Sequence, residues 1–237
     1  MTRHAAVWHD VELGSYDADL SLWRELAGAA NGPILDLGAG TGRVAVHLAA
    51  EGHELVALDT DPDLLAVLAG RAPSVVTVQA DARDFSLEQR FPLVIAPMQL
   101  VHIVGGHAGR VAMLERVAAH LTAGGIFAAA LTDPLEALEE RGDPFPLPDM
   151  LERDGWVFSS QPTSVREERG IVVMERHRQA VSPAGEVEEE MVEITLDVLG
   201  SEQFEGEARA SGLEPTARHA IPQTPEHIDS TVVTCRR

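Results

Sequence analysis

Residues 34–43 read Ile-Leu-Asp-Leu-Gly-Ala-Gly-Thr-Gly-Arg, and this stretch decides the fold. Ile34 to Leu37 is an apolar strand, Gly38, Gly40 and Gly42 punctuate a turn, and Val44 to Ala50 is helix-compatible. Glycines there allow positive φ and let a ligand approach backbone with no Cβ in the way. The helix that follows points its unpaired N-terminal N–H groups at the same place. The pattern predicts a nucleotide-like cofactor site at the carboxyl end of a first strand. A dinucleotide fold asks for G-x-G-x-x-G. This chain has G-x-G-x-G, with Asp36 two residues ahead of the first glycine.

Outward from the turn, apolar strands alternate with helices. Strand two, Glu54 to Leu58, ends at Asp59, and Asp61-Pro62 opens a helix with Leu64, Leu65 and Leu68 as its buried stripe. Strand three, Val75 to Gln79, ends at Asp81; strand four, Leu93 to Ala96, ends at Pro97. A helix over 107–121 and strand five, Ile126 to Thr132, follow. Ahead of strand one, Leu20, Trp23, Leu26 and Ala27 share one face of a helix expected over 15–30. This alternation predicts an α/β chain with a parallel sheet and right-handed crossovers. The pattern changes after Asp133. Residues 133–150, rich in proline and acid, are expected to be a loop or short helices. Strand-like runs near 157–168, 171–181 and 187–199 come next, the last with Val192, Ile194, Leu196 and Val198 at period two. A helix (Ser201 to Ser211) and two strands (Glu214 to Ala220, Ser230 to Arg236) close the chain.

The motif D-x-G-x-G-x-G after an apolar strand resembles motif I of the class I S-adenosylmethionine (SAM) methyltransferases. The resemblance implies a Rossmann-like seven-stranded sheet with helices on both faces and an added antiparallel β insertion. It implies one domain over 1–237: an N-terminal helical lid (1–33), a SAM-binding core (34–132), a substrate or dimer insertion (133–200), and a closing helix with two strands (201–237). It places Gly38, Ala39 and Gly40 under the amino-acid end and ribose of SAM, with Asp36 near the ammonium. Asp59, followed by Thr60, is expected to accept the ribose hydroxyls, although a helix-capping role is the plain alternative. Asp81 in Gln79-Ala80-Asp81-Ala82 is expected to accept from the adenine amine, while the Ala82 N–H donates to the ring. Pro97 and Gln99 fall at the methionine end. Tyr16, the only tyrosine, is a candidate for the methyl or carboxylate end, with core packing the alternative. His102 is the candidate base facing the acceptor; otherwise it packs under the next helix. The later half, including Val192 to Leu196, loosely resembles the aminosugar N-methyltransferases, which implies a small-molecule acceptor and a candidate homodimer surface.

Composition bounds the alternatives. The net charge of −20 argues against a nucleic-acid partner, which needs a basic face. No apolar run is long enough for a membrane span, the N-terminus lacks a signal-like core, and Cys235 is the only cysteine. These point to a cytoplasmic protein. All 18 basic residues are arginine, so no Tyr-x-x-x-Lys pair and no P-loop lysine exist. No H-E-x-x-H or carboxylate cluster marks a metal, and none is expected. Two rivals stay open: an NAD(P)-dependent oxidoreductase, which has no standing need for Asp81, and a non-catalytic SAM-binding or scaffold protein.

Overall fold

The computed structural model describes residues 4–133, 147–224 and 227–237. Most of the proline-rich segment 133–150, expected to be loop or short helices, lies outside the described residues. The chain divides into two compact units, Asp17–Thr132 with Leu199–Arg237, and Met1–Tyr16 with Asp133–Val198.

The larger unit is a seven-stranded sheet. Its strands are β1 (Ile34–Leu37), β2 (Leu55–Asp59), β3 (Val76–Gln79), β4 (Phe91–Ala96), β5 (Leu121–Leu131), β10 (Glu214–Ile221) and β11 (Ser230–Arg236), in the order β10-β11-β5-β4-β1-β2-β3. β1 pairs in parallel with β2 and β4, β4 with β5, and β2 with β3, while β11 pairs antiparallel with both β5 and β10. Strand order therefore reverses beside β1, and sheets of this kind take their ligands at the carboxyl ends of the strands at such a switch point. The helices are α2 (Leu20–Ala29), α3 (Arg43–Ala50), α4 (Pro62–Arg71), α5 (Leu100–Ile103), α6 (Gly106–His120) and α7 (Ser201–Ala210). Alternate side chains of a strand point to opposite faces. Leu35 and Leu37 of β1 join Met113, Leu114 and Val117 of α6 and Phe204 of α7 in one core. Ile34 and Asp36 point to the opposite face, and both are buried. Arg110 of α6 and Glu207 of α7, both buried, are joined by two bonds of 2.7 and 2.9 Å that tie the two helices.

The smaller unit is an antiparallel sheet of β6 (Asp149–Arg153), β7 (Trp156–Glu168), β8 (Ile171–Val181) and β9 (Val187–Asp197), with α1 (Ala5–Leu13) packed on it. Trp8 and Val11 of α1 bury against Phe158 and Ala180.

Three elements differ from the sequence reading. The helix expected over 15–30 begins at Leu20, and a separate helix, α1, precedes it. α1 ends at Gly14, where a Cβ would sit 2.5 Å from the Asp10 carbonyl. β5 starts at Leu121, ahead of the expected Ile126; the register jumps from Phe91↔Leu121 to Leu93↔Ile126, and Gly124, at φ 74°, absorbs the extra residues. β6 is an additional short edge strand. The remaining strands and α7 lie within two residues of their expected bounds.

Candidate functional site

The glycine turn is built by its backbone. Gly38, Gly40 and Gly42 take φ of 65°, 56° and 92°, a region costly for any side chain. At Gly42 a Cβ would also lie 2.3 Å from Leu68 Cδ1, so this glycine lets α3 start against α4. The Ala39 N–H donates to the Leu58 carbonyl at 3.0 Å, and Arg71 of α4 donates to the Thr41 carbonyl at 3.2 Å. Gly38 stays exposed while Ala39 and Gly40 are buried.

The register brings the strand ends together. Leu37 pairs with Leu58, Asp59 with Gln79, and Asp36 with Ile95. Asp36, Asp59, Asp81, Pro97 and Gln99 thus come from the carboxyl-terminal edge of four adjacent strands. Asp59 Oδ2 accepts the Gly40 N–H at 2.8 Å, and Oδ1 accepts the Asp61 N–H at 3.0 Å. Each carboxylate oxygen retains a further lone pair for a ligand hydroxyl. The capping alternative for Asp59 is taken by its neighbour. Asp61 is the N-cap of α4, accepting from the Asp63 and Leu64 N–H groups, with Pro62 at the first helical position. Thr60 is exposed and its carbonyl accepts from Gln79 Nε2 at 3.3 Å.

Asp81 lies past β3 and is clasped by Arg83. The Arg83 backbone N–H and Nε donate to Asp81 Oδ1 at 2.9 Å each. Hydrogen bonds and charge from Arg83 hold this carboxyl below the usual range. Ala82 is buried beside it. Pro97 is buried, and Met98 after it adopts φ 58°. A non-glycine residue in that conformation costs about 1–3 kcal/mol. It turns the chain sharply between β4 and α5, whose N-cap is Gln99.

His102 is buried in α5, and its Nε2 accepts the backbone N–H of Thr132, just past β5, at 3.1 Å. Nε2 is therefore the unprotonated nitrogen, already used in joining α5 to β5. His120 does the same at the other end of the sheet, accepting the Leu87 N–H at 2.9 Å. Trp8 is engaged within the smaller unit, edge-on to Phe158 at 5.3 Å. Tyr16 is buried and belongs to that same unit.

Asp36 is the most unusual group. It is 1% exposed, and neither carboxyl oxygen has a hydrogen-bond partner. Burial pushes its pKa up to about 8; the Arg43 charge opposes that rise, and Asp59 and Asp19 reinforce it. A buried carboxyl with both oxygens open fits a cationic ligand group better than an apolar one. Sequence reasoning missed what surrounds it. Arg43 donates through both terminal nitrogens to Asp19, at 2.6 and 2.7 Å, and Asp19 also accepts from Trp23 Nε1 at 2.7 Å. Arg43 closes the quoted motif and could have been noticed; Asp19 carries no local signal. Among the described residues no group of three or more His, Cys, Asp or Glu could hold a metal ion.

A family model described as a methyltransferase domain matches residues 34–125, the stretch holding the glycine turn, Asp59 and Asp81. Over these residues the chain is similar to a methyltransferase domain. Among methyltransferases, dTDP-3-amino-3,6-dideoxy-alpha-D-glucopyranose N,N-dimethyltransferase of Streptomyces fradiae is 37% identical over 93 residues, 39% of this chain and 36% of that one. The cypemycin N-terminal methyltransferase of a Streptomyces species is 31% identical over 130 residues, 54% of this chain and 53% of that one. The alignments thus span about a third and about half of these relatives. The structure of Streptomyces venezuelae DesVI matches with a TM-score of 0.76 at 23% identity, covering 98% of both chains, a likeness of fold.

Proposed function

We propose that this protein is a SAM-dependent methyltransferase that transfers a methyl group to an amine nitrogen of a small molecule, with an aminosugar as the acceptor class. The observation that carries the cofactor half is the convergence of Asp36, Asp59 and Asp81 on one sheet edge around three left-handed glycines. The acceptor half is supported by the relatives, whose names describe an amino-substituted sugar and an N-terminus as the methylated groups.

In this reading Gly38, Ala39 and Gly40 pass beneath the amino-acid end and ribose, and Asp36 meets the ammonium. Asp59 and Thr60 flank the ribose hydroxyls. Asp81 and the Ala82 N–H meet the adenine, with Arg83 giving way at Asp81. Pro97 and Gln99 border the methionine end. The part assigned to Tyr16 rests on the sequence alone. When bound, the sulfonium supplies an activated methyl group. What remains for the protein is alignment and exclusion of water, and alignment can reach an effective molarity of about 10⁵–10⁸ M. An amine that arrives neutral needs no strong base in the transition state. That agrees with His102 Nε2 being occupied by Thr132. A part for His102 in turnover then runs through its other nitrogen or through the position of Thr132.

A cytoplasmic location and the absence of a nucleic-acid partner belong to the same reading. Among the described residues no helix is long and apolar enough to cross a membrane. Burial pushes the Cys235 thiol up to about 12, so it is held as an unreactive thiol. Homodimer formation through the insertion rests on the resemblance.

The test is thermal shift with S-adenosylhomocysteine (SAH), with NADH and NADPH alongside. A ligand at 100 times its Kd stabilises by about 2.7 kcal/mol, a rise of several degrees at roughly 2–4 °C per kcal/mol. A response to a nicotinamide cofactor alone would overturn the reading. A response to SAH leads to turnover on amines, phenols and carboxylic acids; methylation confined to the phenols or acids would overturn the amine assignment.

A further inference from the structure

The protonation state of Asp36 is a consequence of who has taken Arg43. Asp36 sits on β1 between Ala57 of β2 and Ile95 of β4, neither of which offers it a polar side chain. The charged groups acting on it are Arg43 from α3, Asp59 from the end of β2 and Asp19 from the turn before α2. Two of those three are acids. The one cation is gripped bidentately by Asp19, which Trp23 holds in place through a third bond. All the atoms of this clamp are nearly inaccessible, with Arg43 and Asp19 side chains 7% and 3% exposed. A carboxylate left with no hydrogen bond in such a setting is costlier than the neutral acid.

We infer that Asp19, by engaging Arg43, is a positioning residue that keeps Asp36 as a neutral acid in the ligand-free site, so that capture of the cofactor's cationic amino-acid end releases the Asp36 proton to solvent. This rests on the cofactor site proposed above. The ammonium supplies the partner that Asp36 lacks, and the carboxyl ionises as the pair forms. The balance is one proton lost from Asp36 per ligand bound, with no other group changed. The direction of the pH effect follows. Free Asp36 is raised to about 8, so below that value binding must expel a proton and affinity climbs as pH rises. Between pH 6 and 7 the gain approaches tenfold. Nearer pH 8 the ligand's own amino group begins to titrate, so the measurement belongs below it.

Isothermal titration of the full chain with SAH at pH 7, in phosphate and in Tris, counts the protons, because each released proton adds the buffer's ionisation heat. The wild type is expected to release close to one, and its Kd to fall nearly tenfold from pH 6 to pH 7. Asp36→Asn, which keeps the shape and removes the buried acid, is expected to bind more weakly, release none and show no pH slope. Asp19→Asn, which loosens the hold on Arg43, is expected to release fewer protons than the wild type because Asp36 is already partly ionised. SAH binding with equal heats in both buffers and a flat pH profile would overturn the inference and leave the cofactor reading intact. Proton release surviving in Asp36→Asn would also overturn it. A wild-type count in a folded Asp19→Asn would remove Asp19 from the role. Failure of SAH to bind the wild type would instead bring down the cofactor site itself, and this inference with it.

Discussion

Asp36 in the larger unit and Glu12 in the smaller are both withdrawn from most of the solvent, and they are treated in opposite ways. In the larger unit, Asp36 has open oxygens and a raised pKa. In the smaller unit, Glu12 of α1 is saturated. Arg178 donates to it through Nε and a terminal nitrogen at 2.7 and 2.9 Å, Ser160 Oγ donates at 2.7 Å, and Arg176 lies 3.4 Å away. Burial works to raise the Glu12 pKa, but the Arg178 and Ser160 bonds and the two arginine charges outweigh it, and the net shift is downward. The same network reaches Asp149 and Glu190, and Arg178 also lies over the Trp8 ring at 5.4 Å. A network with every member paired holds α1 to the sheet and has little left to offer a ligand. A lone acid does nothing for the fold and is worth keeping only for something that arrives later. The contrast teaches that burial alone does not mark a functional acid; burial without partners does.

The contrast breaks if Glu12 proves dispensable. Glu12→Ala removes the acceptor that Arg178 and Arg176 share, and breaking a buried pair from one side costs about 3–5 kcal/mol. Urea denaturation should show that loss, and a loss under about 1 kcal/mol would mean the network behaves as a surface one. Asp59→Ala comes next. It removes the anchors of Gly40 and Asp61 together with the proposed ribose bonds, each charged bond being worth roughly 1.5–3 kcal/mol. SAH affinity should drop at least tenfold by titration, and unchanged affinity would take Asp59 out of the site. His102→Ala should lower turnover more than SAH affinity, because it frees the Thr132 N–H at the end of β5. Its melting temperature should also fall, reflecting an orphaned donor worth about 1–3 kcal/mol. Equal turnover would leave His102 purely structural. The smallest effect belongs to Arg83→Ala. Its pairing with Asp81 is solvent-exposed, so the melting temperature should not move, while SAH binding should stay level or tighten. Clear weakening would show that Arg83 holds the ligand rather than the vacant carboxylate.

Much of the larger unit was legible because its signals are local. The glycine turn announces its own positive φ values, and Asp61-Pro62 announces its cap. β7, β8 and β9 were read from apolar alternation and turn residues, and they pair along the expected runs. What escaped depends on distant partners. Asp19 looks like a surface residue until Arg43 folds against it. Nothing around Met98 in the sequence signals its left-handed backbone. The histidine at 102 reads as a base in sequence, and only the arrival of Thr132 shows its nitrogen already in use. Residues 15–30 read as one helix by periodicity, yet 15–19 stay outside α2, and α1 ahead of them packs on the smaller sheet.

The position of β11 bears on how the molecule assembles. β1, β2, β3 and β4 join through short crossovers, so that part of the sheet forms from contacts close in sequence. β11 must instead find β5, with Leu131 paired to Thr231 and the whole four-stranded sheet lying between them along the chain. Non-local pairing is slow because the closure entropy is lost before any contact is gained. During that interval Ala128, Ala129 and Ala130 present an unmated strand edge, the kind of surface on which partly folded chains stick to one another. Refolding is therefore expected to be limited by this one docking event, with the β11 amides and the β5 amides that face them gaining protection last in pulse-labelled hydrogen exchange.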